Sequence, residues 1–213
     1  MFSVVGEGRI FAVVLAAGKS ERFGKNKDNK LFTKFSDGKT MLEKVVDAVK
    51  DTDVAGVIIV TNGNINERVR DIFSGNSHMP ELVENNTGEM TSSFIKGVAR
   101  AKELDADAVI LLLGDQPFIS PKTIDAVINA WRKTNTLIIH PTFSGRPVHP
   151  VIFSKELFDQ ILNISLEGTL KEFVRAHAQD AIFLSVDNVV SSGREFADVD
   201  VQADLENASS SGR

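Results

Sequence analysis

Seven basic residues (Lys19, Arg22, Lys25, Lys27, Lys30, Lys34 and Lys39) stand against three acidic ones (Glu21, Asp28 and Asp37) between positions 19 and 39, in a chain of 213 residues whose formal net charge is −5. The positive charge is therefore local. It follows an apolar run from Ile10 to Ala17 that ends at Gly18. A small-residue turn at the carboxyl end of a buried strand offers backbone N–H groups to an anion, and neighbouring Lys and Arg supply compensating charge. Phosphate is the anion that suits such a loop. The other reading of the same residues is a solvated surface loop that keeps the chain soluble.

A carboxylate at Asp115 is the second candidate. It follows the most apolar run, Ala108 to Leu113, and sits in the tight sequence Gly114-Asp115-Gln116-Pro117. Magnesium prefers oxygen, keeps waters and takes one or two protein carboxylates beside substrate phosphates, so one well-placed Asp suits it, although an Asp there also serves as a turn former. In Asp198-Val199-Asp200 the two carboxylates share one side if the segment is extended, and either could join Asp115. Asp200 could equally cap a helix starting at Val201. Ser92 and Ser93 follow a polar stretch, where they either hydrogen-bond a sugar or base or cap the next helix. His149 lies between Pro147-Val148 and Pro150, placed for an acceptor or for an ordinary turn. His78, His140 and His177 have no metal-ligand spacing with it, and no role is assigned to them.

Two familiar phosphate loops are excluded. Gly18-Lys19-Ser20 resembles the end of a P-loop, but that pattern needs glycine where Val13 stands. Gly6-Glu7-Gly8 precedes the first strand and lacks the third glycine of a dinucleotide fingerprint. Cysteine is absent, which removes disulfides, thiolate metal sites and cysteine nucleophiles. With no tyrosine, one tryptophan and an acidic balance, neither base-stacking platforms nor a phosphate-tracking face is evident, so no nucleic-acid partner is expected. No charged leader with an apolar core opens the chain and no apolar run reaches membrane-spanning length; a soluble, cytoplasmic protein with no membrane partner is expected.

The elements that must position these groups follow from periodicity. After the strand from Ile10, helical spacing runs from Met41 to Lys50, with Thr40 and Glu43 in capping-box positions. A strand is expected over Ala55–Thr61, a helix over Ile65–Phe73, a strand over Glu81–Glu84, a helix over Thr91–Leu104, a strand over Ala108–Leu113, a helix from Pro121 to about Lys133 and a strand over Thr136–His140. This alternation predicts an α/β fold with a mostly parallel sheet covered on both faces, and ligands at the carboxyl ends of its strands. Beyond residue 141 the spacing becomes irregular: strand-like over Val148–Phe153 and Ala181–Val186, helical over Lys155–Leu162, Gly168–His177 and Val201–Asn207. That region reads as a C-terminal lid. A single domain over residues 1–207 is expected, with residues 208–213 a disordered tail.

Four segments together resemble the nucleotidyltransferases related to molybdenum-cofactor guanylyl- and cytidylyltransferases, and most nearly the cytidylyltransferases. They are L-A-A-G-K-S-E-R-F-G with Lys30-Leu31, G-E-M-T-S-S-F, G-D-Q-P, and H-P-V-I-F with the closing D-V-D-V-Q-A-D-L. The resemblance implies a Rossmann-like three-layer sandwich and attack by a substrate phosphate on the α-phosphorus of an NTP, releasing pyrophosphate. It implies that Leu15, Ala16, Ala17 and Gly18 form the nucleotide site with Ser20, Arg22, Lys30, Ser92 and Gly114. Catalysis would fall to Arg22, Lys30 and Asp115, magnesium to Asp115 and Asp200, and the acceptor to His149 and Gln116. Ala17, where guanylyl enzymes of the group have glycine, implies CTP. The implied partners are CTP, a phosphorylated small-molecule acceptor such as molybdopterin, and transient contact with a molybdoenzyme or its chaperone. The loop before Lys30 is long, leaving Lys25 and Lys27 as alternatives to it, and Val148 replaces a family glycine. Two other readings are a glycosyltransferase using Asp198-Val199-Asp200 as its metal motif and a non-catalytic nucleotide sensor.

Overall fold

The computed structural model describes residues 8–18, 29–75, 79–134, 136–165, 167–190 and 192–198. Strand β1 (Ile10–Ala16) is the axis of the sheet. Its alternating side chains divide between two cores, Ile10, Ala12, Val14 and Ala16 facing one layer and Phe11 and Val13 the other. A strand buried on both faces must be apolar at every position, which is why the sequence shows a continuous run there.

The chain then alternates as expected: α1 (Met41–Lys50), β2 (Gly56–Thr61), α2 (Asn66–Phe73), β3 (Glu81–Glu84), α3 (Met90–Glu103), β4 (Ala108–Leu113), α4 (Pro121–Lys133) and β5 (Ile138–Phe143). Parallel pairing joins β1 to β2 and β4, and β2 to β3. Helix α1 starts where Thr40 accepts the Glu43 N–H and Glu43 accepts the Thr40 N–H, the reciprocal cap expected from the sequence. Such a cap contributes about 1 kcal/mol. Side chains of α1, α2 and α4 close one core, including Leu42, Val45, Val69, Phe73, Ile124 and Val127, so three layers result.

The region beyond residue 141 is woven into the sheet, where the sequence suggested a lid. After the short β6 (Arg146–Pro147), strand β7 (Val151–Ser154) inserts antiparallel between β4 and β5. All four of its residues are buried, because Val151 and Phe153 face one core and Ile152 the other. Four residues carry too short a pattern to distinguish a central strand from a lid element by periodicity. The strand expected over Val148–Phe153 begins later, at Val151, and ends at Ser154, and that over Thr136–His140 begins later and runs to Phe143 because β6 and β8 extend its pairing. Helices α5 (Phe158–Leu162) and α6 (Leu170–Ala176) join α3 over the second core. Strand β8 (Ala181–Ser185) runs parallel to β5 on the side away from β7. Among the described residues the order is thus β3-β2-β1-β4-β7-β5, with β6 and β8 both on β5. The helix expected over Val201–Asn207 and the tail lie outside the described residues.

Helix α3 approaches the sheet closely at Gly97, where an added Cβ would run into the Val13 side chain. Alanine there gains about 1 kcal/mol of helix propensity but meets an overpacking cost of about 1–3 kcal/mol. Gly97→Ala is expected to lower stability in urea titrations. The double variant Gly97→Ala, Val13→Ala is expected to lose less than the sum of its single variants, because both changes act on one contact.

Candidate functional site

The site is built where β1 and β4 end side by side. The Gly114 N–H donates to the Leu15 carbonyl at 2.9 Å, one step beyond the last paired residues of the two strands. A Cβ at position 114 would stand 2.8 Å from that same oxygen, so the approach requires glycine. Asp115 is thereby delivered over the exit of β1.

Lys30 meets it from the other side, with Nζ 2.8 Å from Asp115 Oδ2. The backbone at Lys30 is held in a short 3-10 turn, Lys30–Phe32, whose next two residues, Leu31 and Phe32, are buried in the core. Asn29 closes the turn by accepting the Leu31 N–H at 3.0 Å. Both partners of the ion pair are largely shielded, the side chains being 16% and 28% exposed, so the charges interact through a medium less polarisable than bulk water.

A cavity of about 250 Å³ opens beside this pair. Its floor is the strand exit Leu15–Gly18, and its walls include Lys30, Asp115, Gly88, Ser93 and Asp198. The loop before α3 is shaped by Asn85, whose side chain is completely buried and donates to Thr87 Oγ1 at 3.0 Å and Ser93 Oγ at 2.8 Å. Gly88 turns the loop with a φ of +74°, a conformation that favours glycine.

Asp198 reaches the cavity through a strap, residues 192–198, that lies across the β4–α4 connection. Gln116 donates through Nε2 to Asp198 Oδ1 at 2.8 Å and to the Phe196 carbonyl at 3.3 Å. Glu195 Oε2 accepts from the Ser120 N–H at 3.2 Å and the Thr123 hydroxyl at 2.7 Å, capping α4 from a distant part of the chain. Arg194 stacks over the Phe118 ring at 4.3 Å, and Phe196 packs on Phe143 at 5.5 Å.

Of the residues singled out in the sequence, Leu15, Ala16, Ala17, Gly18, Lys30 and Asp115 line one cavity, with Gly114 and Gln116 supporting it. Ser93 lines it, whereas Ser92 directs its hydroxyl to Asn85 Oδ1 at 3.4 Å. Ser20, Arg22, Lys25, Lys27 and Asp200 lie outside the described residues. Gly88 opens the G-E-M-T-S-S-F segment already noted, whereas Asn85 and Glu195 were not singled out in the sequence; a buried Asn in a polar loop and a cap supplied from 75 positions away leave no local signal.

The donor set fits a hard divalent cation. Asp115 and Asp198 bring two carboxylates to the same cavity, which is as many as magnesium takes when phosphates and waters supply the rest. Among the described residues no cluster of three or more His, Cys, Asp or Glu could hold a metal by itself.

His149 is set apart from the cavity. Its Nδ1 is buried without a hydrogen-bond partner, and burial lowers its pKa to about 4, helped by neighbouring His140 and opposed by the Leu111 carbonyl and the Asp115 charge. His140 is likewise pushed below the usual histidine value by burial. Both rings are therefore neutral at physiological pH.

Comparison with known proteins agrees with this geometry. Residues 12–181 match the family described as MobA-like NTP transferase domain. A probable molybdenum cofactor guanylyltransferase of Natranaerobius thermophilus is 28% identical over 207 residues, covering 93% of this chain and 94% of that one. A 2-C-methyl-D-erythritol 4-phosphate cytidylyltransferase of Thermosipho melanesiensis is 33% identical over 117 residues, 53% of this chain and 50% of that one. The crystal structure of Rv0371c from Mycobacterium tuberculosis superposes with a TM-score of 0.75 at 25% identity, covering 94% of this chain and 98% of that one. No helix among the described residues is long and apolar enough to cross a membrane.

Burial of neutral His149 links stability to pH. The ordinary imidazole value is 6.5 and the folded value about 4, so between these limits unfolding takes up a proton. Stability is expected to fall as pH drops through that window, by up to about 1.4 kcal/mol per pH unit, and to be insensitive to this group above it. Urea titrations at several pH values check this, and His149→Gln is expected to flatten the acid slope.

Proposed function

Because the chain belongs to the MobA-like NTP transferase family, we propose that this nucleotidyltransferase moves CMP from CTP to the phosphate of molybdopterin, with magnesium and with release of pyrophosphate. The observation that carries the reading is the Lys30–Asp115 pair, held at 2.8 Å on the wall of a cavity whose floor is the turn after β1. A cation and an anion fixed side by side suit a substrate that brings both negative phosphate and a metal.

The acceptor's phosphate oxygen attacks the α-phosphorus, forming a new P–O bond. The bond from that phosphorus to the bridging oxygen of the β-phosphate breaks, and its electron pair leaves with pyrophosphate. The attacking phosphate is already anionic, so the reaction needs no covalent nucleophile from the protein. Gly18 offers its backbone to the triphosphate at the strand's carboxyl end. Lys30, released from Asp115, donates to an oxygen of the α-phosphate and offsets the charge that develops there. Asp115 and Asp198 would hold magnesium, which when bound neutralises phosphate oxygens and orients the leaving group. Asp200, the other carboxylate read from the sequence, remains an alternative to Asp198. Ser93 and the Gly88 loop, pinned by Asn85, bound the space left for the sugar and base.

Ala17 supports CTP. The residue lines the cavity and stands where the resemblance puts glycine in guanylyl enzymes of the group. The name of the Natranaerobius relative, which matches nearly the whole chain, supports GTP as the second reading.

Pyrophosphate release with CTP, GTP, ATP and UTP separates the two. CTP is expected to give the highest kcat/KM, by about tenfold or more, and Ala17→Gly to shift the preference toward GTP; a wild-type preference for GTP would establish the second reading. Asp115→Asn is expected to lower kcat by about 100-fold or more while leaving the melting temperature near that of the wild type.

A further inference from the structure

Two consecutive residues after β4 reach both carboxylates of the cavity. Asp115 brings its own side chain to the wall, and Gln116 donates to Asp198 Oδ1 at 2.8 Å although 82 positions separate the two. The same Nε2 atom donates to the Phe196 carbonyl at 3.3 Å. A carbonyl oxygen only accepts, so this second bond fixes which end of the amide faces the strap. Gln116 is 6% exposed, and its own backbone closes the turn that carries it: the Gln116 N–H donates to the Leu113 carbonyl and the Ile119 N–H to the Gln116 carbonyl, each at 3.3 Å. The amide nitrogen is thus engaged inside the protein, which sets Gln116 apart from the acceptor contact that the family resemblance implies for it.

The strap is gripped a second time at the far end of the same connection. Glu195 Oε2 accepts from the Ser120 N–H and from the hydroxyl of Thr123, a residue completely buried at the start of α4. Gln116 and Ser120 bracket the link between β4 and α4, so the strap is located against the same backbone that carries Asp115. This matters because two carboxylates in one cavity repel each other until a cation arrives. Lys30 offsets the repulsion at Asp115, and the neutral amide of Gln116 does so at Asp198 without bringing a charge that would compete with the cation. Holding one carboxylate oxygen also sets the rotation of the group, and so the aim of the other.

We propose that Gln116 is a positioning residue for divalent-metal binding: it aims Asp198 at the cation that Asp115 also holds, and Glu195 keeps the strap within its reach. The inference rests on the nucleotidyltransferase reading, in which these two carboxylates hold magnesium, and adds to it the two groups that assemble the pair. Partners that hydrogen-bond a metal ligand, without touching the metal, fix the ligand's orientation and tune the affinity of the site. A strap without its latches would have to be ordered by the metal itself, and that entropic cost would be read as weaker metal binding.

The test titrates Mn2+ into the whole protein without nucleotide and follows the free ion by its EPR signal. Gln116→Met, which keeps the length of the side chain and removes its donor, is expected to raise the Kd for Mn2+ about tenfold. Asp198→Ala should raise it at least as much, and in that background Gln116→Met should add less than about twofold, because the amide acts through the carboxylate. A merely structural role would give additive losses instead. Glu195→Ala leaves every side chain that lines the cavity in place and is expected to raise the Kd about threefold or more; it decides the matter if Gln116→Met does not fold. Wild-type affinity in Gln116→Met or in Asp198→Ala, additive losses in the double variant, or no Mn2+ binding by the wild type would each overturn the inference. So would a raised KM for the phosphorylated acceptor in Gln116→Met with its Mn2+ affinity unchanged, which would return Gln116 to the acceptor. Mn2+ held through these residues with no pyrophosphate released from any NTP would instead overturn the nucleotidyltransferase reading and leave the latch standing.

Discussion

The contact between the Gly114 N–H and the Leu15 carbonyl sets the geometry on which the rest of the site depends. It locks the exits of two parallel strands together at a point where no side chain fits between them. Three parts of the cavity then arrive along short paths: the turn at Gly18 from β1, the carboxylate of Asp115 from β4, and Lys30 from the return of the chain into the core. Burial of Leu31 and Phe32 matters here as much as charge. An ammonium group on a flexible stem finds one carboxylate reproducibly only if its backbone is anchored, and two buried apolar side chains adjoining Lys30 provide that anchor.

The strap over residues 192–198 works by a different kind of force. It buries little apolar surface of its own, and is held by Glu195 on the start of α4, by Gln116 on Asp198 and by stacking of Arg194 on Phe118. Hydrogen bonds to charged groups are stronger than neutral ones but are directional, so the strap is located sharply without becoming part of the core. A second carboxylate is in this way brought beside Asp115 from the far end of the chain. The chain belongs to the MobA-like NTP transferase family, and its cavity brings two carboxylates and an ammonium group together.

Strand β7 links the end of β4 to the far edge of the sheet. Its insertion between β4 and β5 makes the last third of the chain part of the sheet and carries His149 toward the end of β4. The same insertion places β5 and β8 beyond it, where His140 stacks on Phe183 though the two come from separate stretches. A lid would have left these strands mobile relative to Asp115. A continuous hydrogen-bonded sheet holds them in register.

Much of the fold was legible because its signals are local. Fully apolar runs over Ile10–Ala16 and Ala108–Leu113 announce strands buried on both faces, and Thr40 with Glu43 announces the start of α1, since each feature depends on residues a turn or a strand-length apart. That Gly18 and Asp115 each stand at the exit of a strand was readable for the same reason, whereas Lys30, which lines the same cavity, was singled out only by the resemblance to a known family. The centrality of β7, the choice of Ser93 over Ser92, and the role of Asn85 depended on pairing and burial across long separations. The stacking of His140 on Phe183 carried no signal at all in the chain, the two being separated by 43 positions. Sequence periodicity records which face of an element is apolar, but strand register decides which polar groups become neighbours, and register is settled only when the whole sheet closes its core.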